Sequence, residues 1–307
     1  MYRDLIFSRS FRFSILILIS SSAFAAEESI TEQSYLQEFP VVLSASRLAQ
    51  PISEAPNAMT VIDQAMIKAS GFRSVPELMR LVPGMYVGFA DANRPVVSLH
   101  GATDEFSRRM QILIDGRSVY LPPFGGVSWA DLPIQIEDIE RIEVVRGPAS
   151  ASHGTNSYYG VINIITREAL SQDGGSVSVT RGDATDVSAR FGKSGAVFDY
   201  RLSVGYRSDQ GLDNVVLNDH NSTRLINFRS NYHPNGTDTL DVQLGSSNGV
   251  YGMGIVNRKQ DAFRETTAKG DFQQVSWLHM WPTNDESKLT FSRTVHNSTD
   301  PFCALMH

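Results

Sequence analysis

Two hydrophobic patterns divide the chain. Over residues 58–168, short apolar runs such as MTVI, MYVGF and PVVSLHG are separated by capping and turn signals. Beyond residue 170, apolar and polar residues alternate one by one. In AVFDYRLSVGYRS, one face carries Phe198, Tyr200, Leu202, Val204 and Tyr206, and the other Asp199, Arg201, Ser203, Gly205 and Arg207. The first pattern predicts a mixed α and β unit, and the second predicts antiparallel strands.

Start and stop signals place two helices and a hairpin in the first part. Asp63 can cap a helix that runs to about Ser70 and stops at Gly71. Ser74 and Glu77 match a capping box, and the helix that they open ends at Pro83-Gly84. Its apolar side would be Leu78, Leu81 and Val82. Asp115-Gly116, inside MQILIDGRSVY, predicts a two-residue β-hairpin.

About seven alternating strands are expected from Ser176 onward, with looser matches at 223–232, 272–282 and 287–296. Tight turns at 192–195, 233–237 and 283–287 alternate with longer connections, of which 249–271 is the longest. Short turns at one end and long loops at the other are typical of an outer-membrane barrel. A soluble β-sandwich has similar alternation and remains the alternative.

The N-terminus resembles a secretory leader. Arg3, Arg9 and Arg12 precede an apolar run over 13–19, and small residues with the cleavage pattern Ala23-Phe24-Ala25 follow. A transmembrane anchor would need about 20 apolar residues, and this run is shorter. Residues 1–25 are therefore predicted to be a cleaved signal peptide, so that the mature chain lies outside the inner membrane.

Composition and the absence of known motifs exclude several classes of function. The chain has 307 residues and a net charge of −6, and its 27 Lys and Arg residues form no basic block, which argues against nucleic-acid binding. A single cysteine, Cys303, excludes an internal disulfide. The sequence contains no Walker loop, G-x-S-x-G or H-E-x-x-H motif, so no enzyme, cofactor or metal site is predicted. Asp209 and Asp213 are expected to be solvated, with weak cation binding as the alternative.

The segment EFPVVLSASRLAQPISEAP contains a short extended stretch at 40–44 with Pro40, Pro51 and Pro56 around it. It follows a polar arm and reads either as a linker or as an exposed strand that a partner binds by β-strand addition.

The stretch IERIEVVRGPASASHGTNSYYGVINIIT, which begins at Ile139, resembles the plug signature of TonB-dependent outer-membrane receptors. EFPVVLSASR, LMRLVPG, VSLHG and ILIDGRSVY precede it in that family's order, so the resemblance spans 38–166. Residues 174–296 resemble the first strands of the family's barrel. The signature pairs a charged strand with VINIIT, in which Val161, Ile162, Ile164 and Ile165 suit the plug's own core.

The resemblance implies the following organisation: a signal peptide (1–25), an N-terminal arm with a TonB-box-like segment (26–57), an α+β plug domain with a small mixed sheet and short helices (58–168), the first seven or so strands of an incomplete antiparallel transmembrane β-barrel (174–296), and an irregular tail (297–307). It also implies a transporter in the bacterial outer membrane. Its partners would be the energy-coupling protein TonB, outer-membrane lipid and a small-molecule ligand, most often an iron-siderophore complex. Cobalamin and haem are the alternatives.

The resemblance assigns three sets of residues. The TonB box would be Phe39, Pro40, Val41, Val42, Leu43 and Ser44. A latch to the barrel wall would use His100, Glu140, Arg141, Glu143 and Arg146, where His100 replaces the family's arginine; ordinary solvated charges are the alternative. Ligand contacts would come from Tyr86, Phe89, Arg94, Arg108, Arg109, Tyr120, Phe124 and Trp129, some of which would instead be packing residues.

Seven strands cannot close a barrel that this family builds from about 22. The sequence therefore also raises the expectation that the chain is a truncated or split-gene fragment without function. Only a short segment precedes the box, so a separate signalling domain there is not expected.

Overall fold

The computed structural model describes residues 41–42, 44, 50–51, 55, 57–99, 108–123, 125–170, 173–182, 184–212, 216–283 and 285–301. The predicted signal peptide and most of the arm lie outside the described residues. Phe39, Pro40, Leu43, His100 and Phe124 lie outside them as well.

The mixed unit consists of short strands and helices in this order: β1 (Val41–Val42), β2 (Gln50–Pro51), β3 (Ala58–Asp63), α1 (Gln64–Ser70), α2 (Val75–Leu78), a 3₁₀ turn (Met79–Leu81), β4 (Met85–Phe89), β5 (Pro95–Leu99), β6 (Met110–Ile114), β7 (Arg117–Ser118), a 3₁₀ turn (Ile136–Asp138), β8 (Ile139–Arg146), α3 (Ser150–His153) and β9 (Gly160–Thr166). Its main sheet has the order β3-β8-β9-β6-β7, in which β6 and β9 are parallel and the other pairs antiparallel. β4 and β5 pair with each other, as do β1 and β2.

Local signals place the helices as predicted. The Asp63 carboxylate accepts a hydrogen bond from the Met66 amide at 2.8 Å, and Gly71 ends α1 with a φ of 67°. Ser74 and Glu77 form both bonds of the capping box. The second helix is shorter than predicted, because it tightens into the 3₁₀ turn after Leu78. The chain therefore turns toward β4 while Leu78 stays fully buried.

The hairpin prediction is confirmed. Asp115 and Gly116 have φ angles of 49° and 81°, the paired positive values of a type I′ turn. The Asp115 carboxylate also accepts bonds from the Thr166 amide at 2.8 Å and the Thr166 hydroxyl at 2.6 Å. This turn therefore fixes the end of β6 against the end of β9.

The core covers both faces of the main sheet. One face packs Ile142, Val144, Ile162 and Ile164 against the helices, and the other packs a smaller group around Val145 and Val161. VINIIT is therefore a strand in the unit's own core, as predicted, because residues of both parities are buried.

Seven antiparallel strands follow, each paired with its sequence neighbours: β10 (Gly174–Arg181), β11 (Ala184–Lys193), β12 (Phe198–Asp209), β13 (Asn221–Tyr232), β14 (Asp238–Met253), β15 (Arg264–Met280) and β16 (Glu286–Thr299). We call them the strand wall. The count agrees with the prediction, and so do the short turns that join β11 to β12, β13 to β14 and β15 to β16.

The predicted long loop at 249–271 is wrong. β14 continues to Met253 and β15 starts at Arg264, with Gly249 paired to Ala268 and Gly252 to Glu265. Small and polar residues conceal the alternation here, so both strands extend further than the apolar pattern indicates.

The strand wall has an inverted polarity, which means that its buried side is polar and its exposed side is apolar. In β12, Asp199, Arg201 and Ser203 are buried, and the last two contact the mixed unit, whereas Leu202 and Val204 are about 40% exposed. The exposed apolar side continues across the wall to its edges, where Val177 and Phe291 lie. Among the described residues, no helix is long and apolar enough to cross a membrane.

Candidate functional site

Of the N-terminal segment predicted to recruit a partner, the described residues Val42 and Ser44 are buried rather than exposed. Val42 has no exposed surface and Ser44 has 1%. Val41–Val42 pairs with Gln50–Pro51, so this short stretch already has a strand partner within the chain. The expectation of a free extended strand is therefore wrong for Val42 and Ser44, because the unit's own sheet covers them.

Ser44 is held by three polar groups of the mixed unit. Its amide donates to Glu143 Oε2 at 2.8 Å, and its hydroxyl oxygen accepts from Asn163 Nδ2 at 2.9 Å. His153 Nε2 lies 2.7 Å from the Ser44 carbonyl oxygen. A carbonyl oxygen only accepts, so this nitrogen carries the proton. Every polar group of Ser44 is therefore satisfied from β8, α3 and β9, and we call Glu143, His153 and Asn163 the Ser44 cradle.

The latch residues predicted on β8 make their contacts within the mixed unit. Arg141 bonds to Glu143 at 2.9 Å and to Glu140 at 2.7 Å, and Arg146 donates to the Pro83 carbonyl at 3.4 Å. Glu143 has no exposed surface and faces Ser44. The prediction that this charged row faces the strand wall is thus wrong for Glu143, because its carboxylate is needed to satisfy a buried amide.

The strand wall and the mixed unit are instead joined at Arg73, a residue that the sequence did not single out. Its guanidinium bonds to Asp186 at 2.5 Å on β11 and to Asp209 at 2.9 Å on β12. The hydrogen bond to Asp186 raises the pKa of Arg73 above its usual value. Arg73 directly precedes the capping box at Ser74, so a rigid helix start presents it to the wall.

In a second set of contacts, the positive charges lie on the wall and their acceptors on the plug, which is the reverse of the predicted latch. The guanidinium groups lie on the wall: Arg201 donates to the Arg167 carbonyl, and Arg229 donates to the Thr166 carbonyl at 3.0 Å. Arg190 donates to the Glu137 carbonyl at 3.0 Å. The polar face of the β12 alternation signals Arg201, but the acceptors are main-chain atoms, which carry no sequence signature.

The predicted ligand-binding residues fall into separate places. Phe89 and Trp129 line one cavity of about 320 Å³ between the mixed unit and β12–β14, together with Arg73, Arg80 and Tyr251. Trp129 is 8% exposed and belongs to the core, so packing accounts for most of its surface.

The remaining predicted ligand residues lie nearer the surface. Tyr86 is half-exposed, and Arg94 pairs with Asp91 at 2.6 Å. Arg109 donates to the Tyr159 hydroxyl at 3.3 Å and lies over its ring. Arg108 and Tyr120 both approach Gly125. The structure thus distributes these side chains over several surfaces instead of gathering them into one pocket.

Comparison with known proteins accounts for both parts of the chain. Residues 51–161 match the family model of the TonB-dependent Receptor Plug Domain. The chain is 31% identical over 202 residues to the vitamin B12 transporter BtuB of Vibrio vulnificus, which covers 62% of this chain and 32% of that protein. It is 30% identical over 247 residues to the iron-regulated outer membrane virulence protein of Vibrio cholerae, with 75% and 36% covered.

Solved structures show the same fold. The ferripyoverdine receptor of the outer membrane of Pseudomonas aeruginosa matches 83% of this chain with a TM-score of 0.68 and 14% identity, and the match covers 36% of that receptor. The siderophore receptor PirA from Acinetobacter baumannii matches 84% with a TM-score of 0.65 and 18% identity. The chain spans about a third of the length of the curated relatives that it matches. It carries a plug domain followed by adjoining strands of a receptor wall, and it belongs to the family of TonB-dependent receptors.

Proposed function

We propose that the chain acts in TonB-dependent uptake of a scarce ligand across the bacterial outer membrane. The observation that carries this proposal is the inverted polarity of the strand wall, whose polar side packs against the plug while its apolar side faces outward. An apolar outer face is unfavourable in water and favourable against lipid hydrocarbon. A plug that bonds to the inner face of such a wall is placed to obstruct a pore.

An aromatic belt supports a place in a membrane. At the end of the wall with the short turns, several aromatic side chains are exposed or partly exposed: Phe191, Phe198, Tyr200, Tyr232, Trp277 and Trp281. Phe198 stacks on Tyr200 with ring centroids 6.0 Å apart, and Trp281 meets His279 edge-on at 4.6 Å. Aromatic girdles of this kind mark the boundary between lipid tails and water. The belt thus favours outer-membrane lipid as a partner, with the short turns on the periplasmic side.

The segment 39–44 is proposed to recruit TonB by β-strand addition. Extended residues with exposed main-chain groups suit that mode, but the Ser44 cradle and β2 occupy those groups at Val41, Val42 and Ser44. Docking and recruitment therefore compete for the same atoms. We infer that the segment must leave the cradle before TonB can pair with it.

The ligand is proposed to be an iron-siderophore complex. Several relatives are named for iron uptake or regulation, including the ferrioxamine B receptor of Salmonella typhimurium at 28% identity. The 31% identity to a vitamin B12 transporter favours cobalamin as the second candidate. Arg108 and Arg109 would meet a ferric chelate with negative charge, together with Tyr86 and Tyr120.

Outer-membrane fractions from cells that produce the chain, and from cells that do not, separate these candidates. Saturable binding of radiolabelled ferric siderophore is expected, weakened in the double variant Arg108→Ala plus Arg109→Ala. Saturable binding of labelled cyanocobalamin alone would select the second candidate. If the chain is not found in the outer-membrane fraction, the proposal fails.

A further inference from the structure

A second cavity at the interface between the plug and the strand wall has the character of an anion site. It encloses about 460 Å³ between α1, the 3₁₀ turn at Ile136–Asp138 and strands β10 to β12. This volume is within the range of small-molecule sites in proteins. Its position is separate from the loops assigned above to ligand contact.

Its lining has an excess of positive charge. Five cationic side chains, Lys68, Arg73, Arg167, Arg190 and Arg207, face three acidic ones, Glu137, Asp138 and Asp186. The serine hydroxyls of β10 and β11 add neutral donors to the same wall, with Ser178 directly opposite Ser188. Guanidinium and hydroxyl groups together are the donors that bind carboxylate and phosphate oxygens.

Two of the three acidic groups are already paired with other side chains of the cavity or its surroundings. Asp186 is shared by Arg73 at 2.5 Å and Arg207 at 3.6 Å. Asp138 lies 3.6 Å from Arg190 and accepts a hydrogen bond from Ser203 at 3.0 Å. Glu137 is exposed to solvent. Among the described residues, none of these carboxylates forms a direct ion pair with the remaining cation of the cavity, Arg167.

The Arg167 guanidinium makes no hydrogen bond or ion pair with any residue that the structure describes. Its main chain, in contrast, is fixed: the amide donates to the Asp138 carbonyl at 2.9 Å, and the carbonyl accepts from Arg201 and Arg229. Burial lowers the pKa of Arg167 and the nearby charge of Arg190 adds to the effect, while the negative charges of Asp138 and Glu140 partly oppose it. The side chain of Arg167 is only partly buried, so its hydrogen-bond donors are open to a ligand that enters the cavity.

We propose that this cavity binds a small oxyanion, carboxylate- or phosphate-bearing, through Arg167 and the β10–β11 hydroxyls, with Lys68 at its mouth. The site goes beyond the proposed uptake function. Binding of an oxyanion in this cavity requires neither TonB nor a membrane.

The test titrates the purified chain in detergent with citrate and with inorganic phosphate at low salt, followed by calorimetry. We expect saturable binding that weakens about ten-fold or more in Arg167→Gln, because a hydrogen bond between two charged groups is lost. Lys68→Gln, on the exposed side of α1, is expected to weaken binding about two- to three-fold and provides a readout if Arg167→Gln does not fold.

Arg181→Gln is the matched control, because Arg181 lies at the end of β10, outside the cavity, with its side chain exposed. Its oxyanion affinity should equal that of the unchanged chain. The absence of saturable binding of either probe would overturn the proposal. An equal loss in Arg181→Gln would do the same, since it would indicate general charge attraction. Uptake and oxyanion binding can fail independently, because this measurement involves no transported chelate.

Discussion

The Ser44 cradle leads to a prediction about the release of the N-terminal segment. Glu143→Gln keeps the shape of the side chain and replaces a charged acceptor with a neutral one for the Ser44 amide, which lies 2.8 Å away. A hydrogen bond to a charged group contributes about 1.5–3 kcal/mol and a neutral one about 0.5–1.5 kcal/mol. The difference of about 1–1.5 kcal/mol should lower the docking equilibrium constant of the segment about five- to ten-fold.

Amide hydrogen exchange measures this equilibrium, because the Ser44 amide exchanges when the segment undocks. Its protection factor is expected to fall by the same five- to ten-fold, as estimated from the hydrogen-bond difference. Glu140→Gln is the control: Glu140 is the other partner of Arg141, at 2.7 Å, and is 45% exposed. Unchanged protection in Glu143→Gln would refute the cradle, and an equal fall in Glu140→Gln would show that the effect acts through Arg141.

The same variant links docking to recruitment. A partner that binds only the released segment has an apparent affinity reduced by the fraction of segment that is released. If 39–44 is the TonB box, Glu143→Gln should bind the periplasmic domain of TonB more tightly, by up to the same factor. A fall in the protection of the Ser44 amide without any change in TonB binding would separate the box assignment from the cradle.

Two further predictions concern packing and the contact between plug and wall. Gly160→Ala should destabilise the plug by about 1–3 kcal/mol or prevent its folding, because the added Cβ would lie 2.3 Å from the Val145 carbonyl oxygen. Gly182→Ala, where no heavy atom lies within 4 Å, should leave the urea midpoint nearly unchanged. Arg73→Gln removes two partly buried ion pairs and should lower the unfolding free energy by about 1–2 kcal/mol, with a smaller loss at high salt. An equal loss in Arg80→Gln, in the 3₁₀ turn that follows α2, would contradict a specific role for the ion pairs.

Features that depend on neighbouring residues were predicted well. Asp63, Ser74, Glu77 and Gly71 set the helix ends through bonds that span only a few residues. The Asp115-Gly116 turn needs two positive φ angles, which these residues tolerate better than most. The seven strands followed from alternation because the two faces of the wall meet different surroundings. The predicted bounds failed between β14 and β15, where glycines and consecutive polar residues interrupt the apolar alternation.

The candidate site was predicted less well. The cradle joins Ser44 to Glu143, 99 positions away, and the wall contact joins Arg73 to Asp209, 136 positions away. Nothing in the local sequence distinguishes Glu143 from Glu140, yet one is buried and the other half-exposed. Which of two charged residues satisfies a buried amide depends on what the fold places above the strand.

The sequence by itself determined the helix caps, the hairpin, the core strand VINIIT and the inverted alternation of the wall, since these depend on bonds and periods within a few residues. Only the tertiary structure decided that Val42 and Ser44 are buried, that arginines of the wall donate to carbonyls of the plug, and that the Arg167 guanidinium lies beside a cavity without a partner among the described residues. These properties arise from distances between elements remote in sequence. The free energy of a buried polar group depends on the partner that such packing brings within about 3 Å.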